Sequence, residues 1–325
     1  MGLYLLIGLA AGAASALLVA CVAAGTLLAV PLFYLAPLPV MIAGLAFSNV
    51  SALVAVISAA AGLGLIFGVT FLTAYLVGIG GPAFALAYMA LMARPDPAAR
   101  DGLVWFPLGW LVLAAAAFST VSIAVGLLST AGDFETYRNA VVTALESLLN
   151  GAGQLPGLPG SGDGAPSIDP AAMGSLVAHI LPAVAGGTSM VSLIICLYLA
   201  GRAALFSERL ARPWPDLDRL KLPQLTSLLL AVLLTLSVAS GLFGLVAITG
   251  AATVAIAYVM AGFSALHFIT RGMGLRLVIL STAWFGTLMF GWPALALAFF
   301  GLLDAMFDFR GQASARRGPP AANDR

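Results

Sequence analysis

Apolar residues run almost unbroken along this chain, and polar ones interrupt it only in short clusters. The apolar segments cover roughly 3–24, 26–47, 50–72, 75–93, 104–130, 177–203, 223–247 and 250–269, and a last one, 274–308, is broken at Gly291, Trp292 and Pro293. About 20 apolar residues in a helix cross a hydrocarbon core of roughly 30 Å. Arg94 is the first charged residue, and the 93 residues before it hold none. At about 1.5 Å each they make roughly 140 Å of helix, enough for about four crossings. The pattern predicts an all-α, polytopic transmembrane bundle of about 8–10 helices. Segment 274–308 decides the upper figure, and it reads best as two short helices turning at Gly291–Pro293.

The polar clusters carry the orientation. A short charged turn holds Arg94, Asp96, Arg100 and Asp101, and a second loop, 202–222, holds Arg202, Arg209, Arg212, Arg219 and Lys221. The long loop 131–175 has Arg138 alone against Asp133, Glu135, Glu146, Asp163 and Asp169. Lysine and arginine collect in cytoplasmic loops. The reading is therefore that 131–175 lies outside and that both termini are cytoplasmic. Residues 1–308 form a single integral membrane domain, followed by a disordered cytoplasmic tail, 309–325. Within the outer loop, Tyr137 to Leu149 has the spacing of a short amphipathic helix, lying on the membrane face or solvated.

Composition closes off other classes. Hydrophobic residues make up 62% and charged residues 8% of the chain, with a mean hydropathy of +1.07. Soluble domains are about 25% charged, and disorder needs low hydrophobicity with high net charge. A net charge of +1 and the lack of a dense basic run give no sign of a nucleic-acid partner. Cys21 and Cys196 sit in apolar stretches, which suits neither a disulfide framework nor a metal site. There is no Walker loop, GxSxG elbow, HExxH pair or paired CxxC set, and GIGGPA at 78–83 lacks a strand–helix setting. The chain reads as a protein that is not an enzyme and holds no cofactor or metal. Its first residues have no basic run, which reads as a retained first helix.

Candidate functional residues are the costly ones in lipid. Pro31, Pro37 and Pro39 each remove a backbone donor, and the freed carbonyls must find partners. Two readings are open: a kinked helix packed by its neighbours, or a discontinuous helix facing a substrate cavity. Tyr34 lies inside that stretch. Asn49 reads as an interhelical hydrogen-bonding group or as the cap of a helix beginning near Val50. Two hydroxyl clusters, Ser119/Thr120/Ser122 and Thr188/Ser189/Ser192, read as bonding the carbonyl one turn back. His179 and His267 stand alone, as interfacial side chains or as relay groups. Asp304 and Asp308 share a helix face and repel, so they call for solvent, a cation, or Arg271 or Arg276. Arg310 reaches back only if the helix frays. The substrate-binding candidates are Tyr34, Asn49, His179 and Asp304, with Pro31, Pro37 and Pro39 as the structural breaks. Gly8 with Gly12, and Gly64 with Gly68, have the spacing for close helix packing.

Two stretches, FYLAPLPVMIAGLAF at 33–47 and FGLLDAMFDFR at 300–310, resemble the uncharacterised YybS-like membrane proteins of bacteria. The resemblance implies a bacterial inner-membrane protein with no catalytic residues to carry over. That family is in turn loosely similar to the substrate-binding membrane subunits of energy-coupling-factor transporters. The expected role is binding or movement of a small-molecule ligand, beside a separate energising protein partner in the membrane or cytoplasm. The alternative is a non-transporting scaffold in cell-envelope assembly. The lipid bilayer is the one partner both readings require.

Overall fold

The computed structural model describes residues 1–24, 28–98, 102–130, 132–152 and 170–312. The polar stretch beyond residue 152 and the tail beyond residue 312 lie outside the described residues. Helices account for nearly all the rest. In chain order they are α1 (Gly2–Ala20), α2 (Ala29–Tyr34), α3 (Pro37–Ala46), α4 (Asn49–Phe67), α5 (Val69–Tyr75) and α6 (Gly81–Ala90), the last two joined by a π-helical turn at Leu76–Gly80. They continue as α7 (Leu108–Thr130), α8 (Phe134–Ala152), α9 (Pro170–Phe206), α10 (Leu225–Leu236), α11 (Leu242–Ile269), α12 (Arg276–Phe290) and α13 (Pro293–Phe307). A small antiparallel hairpin pairs β1 (Ala93–Pro95) with β2 (Leu103–Trp105) between α6 and α7.

Among the described residues, 7 segments are long and apolar enough to cross a membrane, and α10, α12 and α13 are shorter apolar helices. This is the polytopic bundle that the hydrophobic pattern predicts. The break expected at Gly291–Pro293 is present: Gly291 takes φ +72°, and Pro293 starts α13 at a position where its missing N–H costs nothing. Segment 223–247 differs from expectation, because α10 stops at Leu236. The Ser237 hydroxyl takes the Leu234 carbonyl, and Gly241 at φ +82° restarts the chain as α11.

Backbones approach most closely where side chains vanish. A Cβ added at Gly8 or Gly12 would fall within 2.7 Å of the Ser51 carbonyl or 2.5 Å of the Ala55 carbonyl on α4. Gly262 on α11 and Gly301 on α13 meet in the same way, with a Gly301 Cβ placed 2.2 Å from the Tyr258 carbonyl. Gly64 packs on Leu72, while Gly68 turns the chain at φ +92°. The core gathers Ala36 at the break, Val40 and Met41 of α3, Leu86 of α6, Ala115 of α7, Leu193 of α9 and Ala257 of α11. The charged segments 91–98, 102–107, 207–224 and 270–271 and residues 308–312 meet at one end of the bundle, where Arg212 donates to the Ala90 carbonyl, the Lys221 carbonyl rests on Gly109, Arg271 pairs with Asp218 and Lys221 with Asp308.

Helix α8 carries Glu135 and Arg138 as an ion pair at 2.8 Å and lies against the first turns of α9, where Val142 presses on Gly174. Helix α9 has 37 residues, about 55 Å at 1.5 Å per residue. That exceeds a roughly 30 Å core, so part of α9 stands clear of the hydrocarbon, and the N-terminal turns that α8 covers are the part with a partner there.

Candidate functional site

The helix break at 35–36 builds the first site. Pro37 has no N–H, so the Phe33 carbonyl takes the Ala36 N–H instead, and Leu38 donates to Leu35. The Tyr34 carbonyl is left facing neighbouring helices, and the Ala36 carbonyl, at the N-cap of α3, keeps a second lone pair for a partner outside the helix. Ser192 of α9 donates its hydroxyl to the Tyr34 carbonyl, with the Cys196 thiol 3.4 Å from the same oxygen. Ser15 of α1 donates to the Ala36 carbonyl at 2.7 Å. Its one proton is spent there, so the Tyr75 hydroxyl donates to Ser15 Oγ, 2.8 Å away. The break is thus held by hydroxyls from two other helices, α9 and α1, with Tyr75 of α5 supporting Ser15.

A second irregularity faces it. The π turn after α5 frees the Val77 carbonyl, which accepts from Ser122 of α7 at 2.8 Å. Ser122 also reaches the Phe118 carbonyl one turn back, at 2.7 Å. Between the two irregular segments lies a cavity of ≈ 330 Å³. Tyr34, Pro37 and Phe33 form one wall, Phe71, Tyr75 and Gly78 a second, and Ser122, Ser189 and Ser192 supply hydroxyls from α7 and α9. The Tyr34 hydroxyl donates to Thr188 Oγ1 at 3.1 Å, since Thr188 gives its own proton to the Val184 carbonyl. The lining holds no carboxylate, imidazole, ammonium or guanidinium group. Such a site can hold an uncharged molecule by apolar contact and by hydroxyl hydrogen bonds, and it offers an ion nothing to offset desolvation.

The candidates named from sequence separate here. Tyr34 and Pro37 line the cavity. Asn49 does not: it is exposed at the first turn of α4, and Ser48 is the cap, its hydroxyl accepting from the Ser51 N–H at 3.1 Å. His179 is exposed near the start of α9, donating from Nδ1 to the Ser175 carbonyl at 2.8 Å beside the Phe134 ring. His267 donates similarly to the Phe263 carbonyl. Asp304 lies at the opposite, charged end. Pro31 sits inside α2, and Pro39 in the first turn of α3.

At that charged end, Asp308 takes a left-handed conformation, φ 49° and ψ 53°, and ends α13. The chain then turns back so that Arg310 Nε meets Asp304 Oδ2 at 2.8 Å. Arg310 also donates to the Leu220 carbonyl at 2.8 Å and to Ser264 Oγ at 3.1 Å. Arg271 pairs with Asp218 and Lys221 with Asp308. The partner of Asp304 is thus Arg310, not Arg271 or Arg276, and residues 309–312 form a helical turn past Asp308. Lys221 and the Gly311 N–H hold the Asp308 carboxyl below the usual carboxylate range.

Sequence reasoning missed Ser15 and Tyr75, since a lone serine and a lone tyrosine in apolar helices carry no signal of a partner 60 residues away. It also assigned Ser192 to its own helix, whereas its partner is on α2. Among the described residues, no three His, Cys, Asp or Glu side chains gather as a metal site requires. No curated protein and no solved structure matches the chain. A family model described as "Predicted membrane protein (DUF2232)" matches residues 13–305, most of the chain, and the protein belongs to that family.

Proposed function

We propose that the protein binds a small, uncharged solute within the membrane, in the cavity between the α2–α3 break and the π turn after α5, and that it carries that solute across. The single observation behind the reading is the cavity of ≈ 330 Å³ bounded by two irregular helices and lined by aromatic rings and hydroxyls. Irregular backbone at membrane depth is tolerated where it is buried in protein or lines a cavity, and transporters use it to form substrate sites. The reading is of a binder and not of an enzyme, because the lining offers hydroxyls and no acid–base pair.

The end with Arg94, Arg202, Arg209, Arg212, Arg271 and Arg276 is read as cytoplasmic in a bacterial inner membrane. The cavity then lies in the outer half of the bundle. A separate energising partner fits a chain without a Walker loop. It also fits the likeness of 33–47, the cavity wall itself, to proteins loosely similar to the membrane subunits of energy-coupling-factor transporters.

The test is thermal unfolding of the detergent-purified protein against a metabolite panel containing neutral members and ionised members of matched size, followed by uptake into reconstituted vesicles. Neutral members raising the melting temperature, with ionised ones inert, support the reading. Stabilisation by ionised members alone, or by none of a broad panel, contradicts it.

A further inference from the structure

A second cavity, of ≈ 390 Å³, lies at the charged end, between the start of α7 and the loop that follows α9. One wall is Pro107, Leu108 and Gly109, and the other carries Arg212, Asp216 and Lys221. The wall is preformed: a Cβ on Gly109 would sit 2.0 Å from the Lys221 carbonyl, so the loop backbone rests directly on the helix. We propose that this cavity binds a phosphate oxyanion, either as the headgroup of a membrane lipid or as a free phosphate.

Arg212 is the central cation of the cavity. It is half-buried and donates from one Nη to the Ala90 carbonyl at 3.2 Å, a neutral acceptor. Burial pulls its pKa down from the ordinary arginine value, yet a guanidinium in a protein does not lose its proton. The charge therefore stays, and the remaining donors of its planar fork suit the oxygens of a phosphate. Lys221 adds a second cation to the lining, which it shares with Asp308 outside it. Asp216 opposes them with one carboxylate, leaving two cations against one acid in the lining. The first turn of α7 contributes the positive end of a 23-residue helix. The surroundings are those of a headgroup layer: Trp214 lies under the Arg202 guanidinium at 5.2 Å and edge-on to Tyr198.

The test uses the full-length protein and two probes. Dioleoylphosphatidylglycerol is compared with dioleoylglycerol, which lacks the phosphate, by native mass spectrometry, and inorganic phosphate is titrated against chloride at equal ionic strength. The wild type should retain the phospholipid over dioleoylglycerol. Arg212→Gln should weaken retention about tenfold, equivalent to one charge-assisted contact, Arg212→Lys should weaken it less, and Arg94→Gln, exposed at the same end, should leave it unchanged. Competition by inorganic phosphate identifies free phosphate as sufficient, and its failure to compete identifies the lipid. If Arg212→Gln does not fold, Lys221→Gln replaces it. Equal retention by a folded Arg212→Gln protein, or a wild type that binds neither probe, overturns the proposal.

Discussion

Arg310 folds back over Asp304, and the pair is sealed from solvent, with side-chain exposures of 4% and 1%. A buried ion pair is costly to desolvate, and it persists here because Arg310 spends its other donors on the Asp218 and Leu220 carbonyls and on Ser264. The pair thus clasps the end of α13 to α11 and to the loop before α10. Removing one partner leaves the other charge buried alone.

Arg310→Met should therefore cost about 3–5 kcal/mol of stability, and Asp304→Leu a similar amount. The double variant should recover most of that loss, because two apolar side chains carry no orphaned charge. Unfolding in mild detergent, analysed as a double-mutant cycle, checks this. Additive losses would mean that the two residues do not act as a pair.

Lys221 and Asp308 form the exposed counterpart, with 52% and 59% of their side chains accessible. The folded carboxyl titrates below its ordinary value. Its contribution is thus fully present above the unfolded carboxylate pKa, near 3.9, and is lost as pH falls through the folded value. Solvent holds that contribution to about 0–1 kcal/mol, smaller still in high salt. Melting of wild type and Asp308→Asn between neutral pH and pH 3 should show a small gap that closes in acid. A gap that widens in acid would reverse the sign.

Close backbone contact between α11 and α13 leaves no room for a side chain at Gly301, whose added Cβ would meet the Tyr258 carbonyl at 2.2 Å. Gly301→Leu should destabilise by about 1–3 kcal/mol or more as the helices separate. Gly62, with nothing within 4 Å of an added Cβ, is the control, and Gly62→Leu should melt like the wild type.

Ser192 satisfies a carbonyl that the proline break strands. Ser192→Ala should cost about 1–3 kcal/mol, the penalty for a buried acceptor without its donor, with the Cys196 thiol offsetting part of it. A neutral Ser192→Ala would mean that water or a backbone shift replaces the hydroxyl.

Local features were readable from the chain and distant partnerships were not. Hydrophobic runs, Pro293 and Gly291 set the spans and the final hairpin, because helix length and breaker chemistry act on neighbouring residues. The three prolines at 31–39 announced a break and the need to satisfy its carbonyls. Which groups would do so was invisible: Ser192 lies 158 residues from Tyr34, and serine is an ordinary membrane-helix residue. Asp304 stands out as a charge near lipid, but its partner stays hidden because two-residue spacing on a regular helix points Arg310 away from Asp308. Asp308 takes the left-handed region, which aspartate and asparagine tolerate better than most side chains, and so redirects the chain and brings Arg310 back. Asn49 is the first amide in the chain, while the cap is the serine before it.

Gly78 gives direct access to the cavity between the two irregular helices. Gly78 lines the cavity, and an added Cβ there meets nothing within 4 Å. Gly78→Leu should fill the space without moving the backbone. The decisive measurement is the melting-temperature shift produced by a neutral panel hit on wild-type and Gly78→Leu proteins side by side. The account predicts a shift in the wild type and none in a normally folded variant; an equal shift in both would place the ligand elsewhere and contradict it.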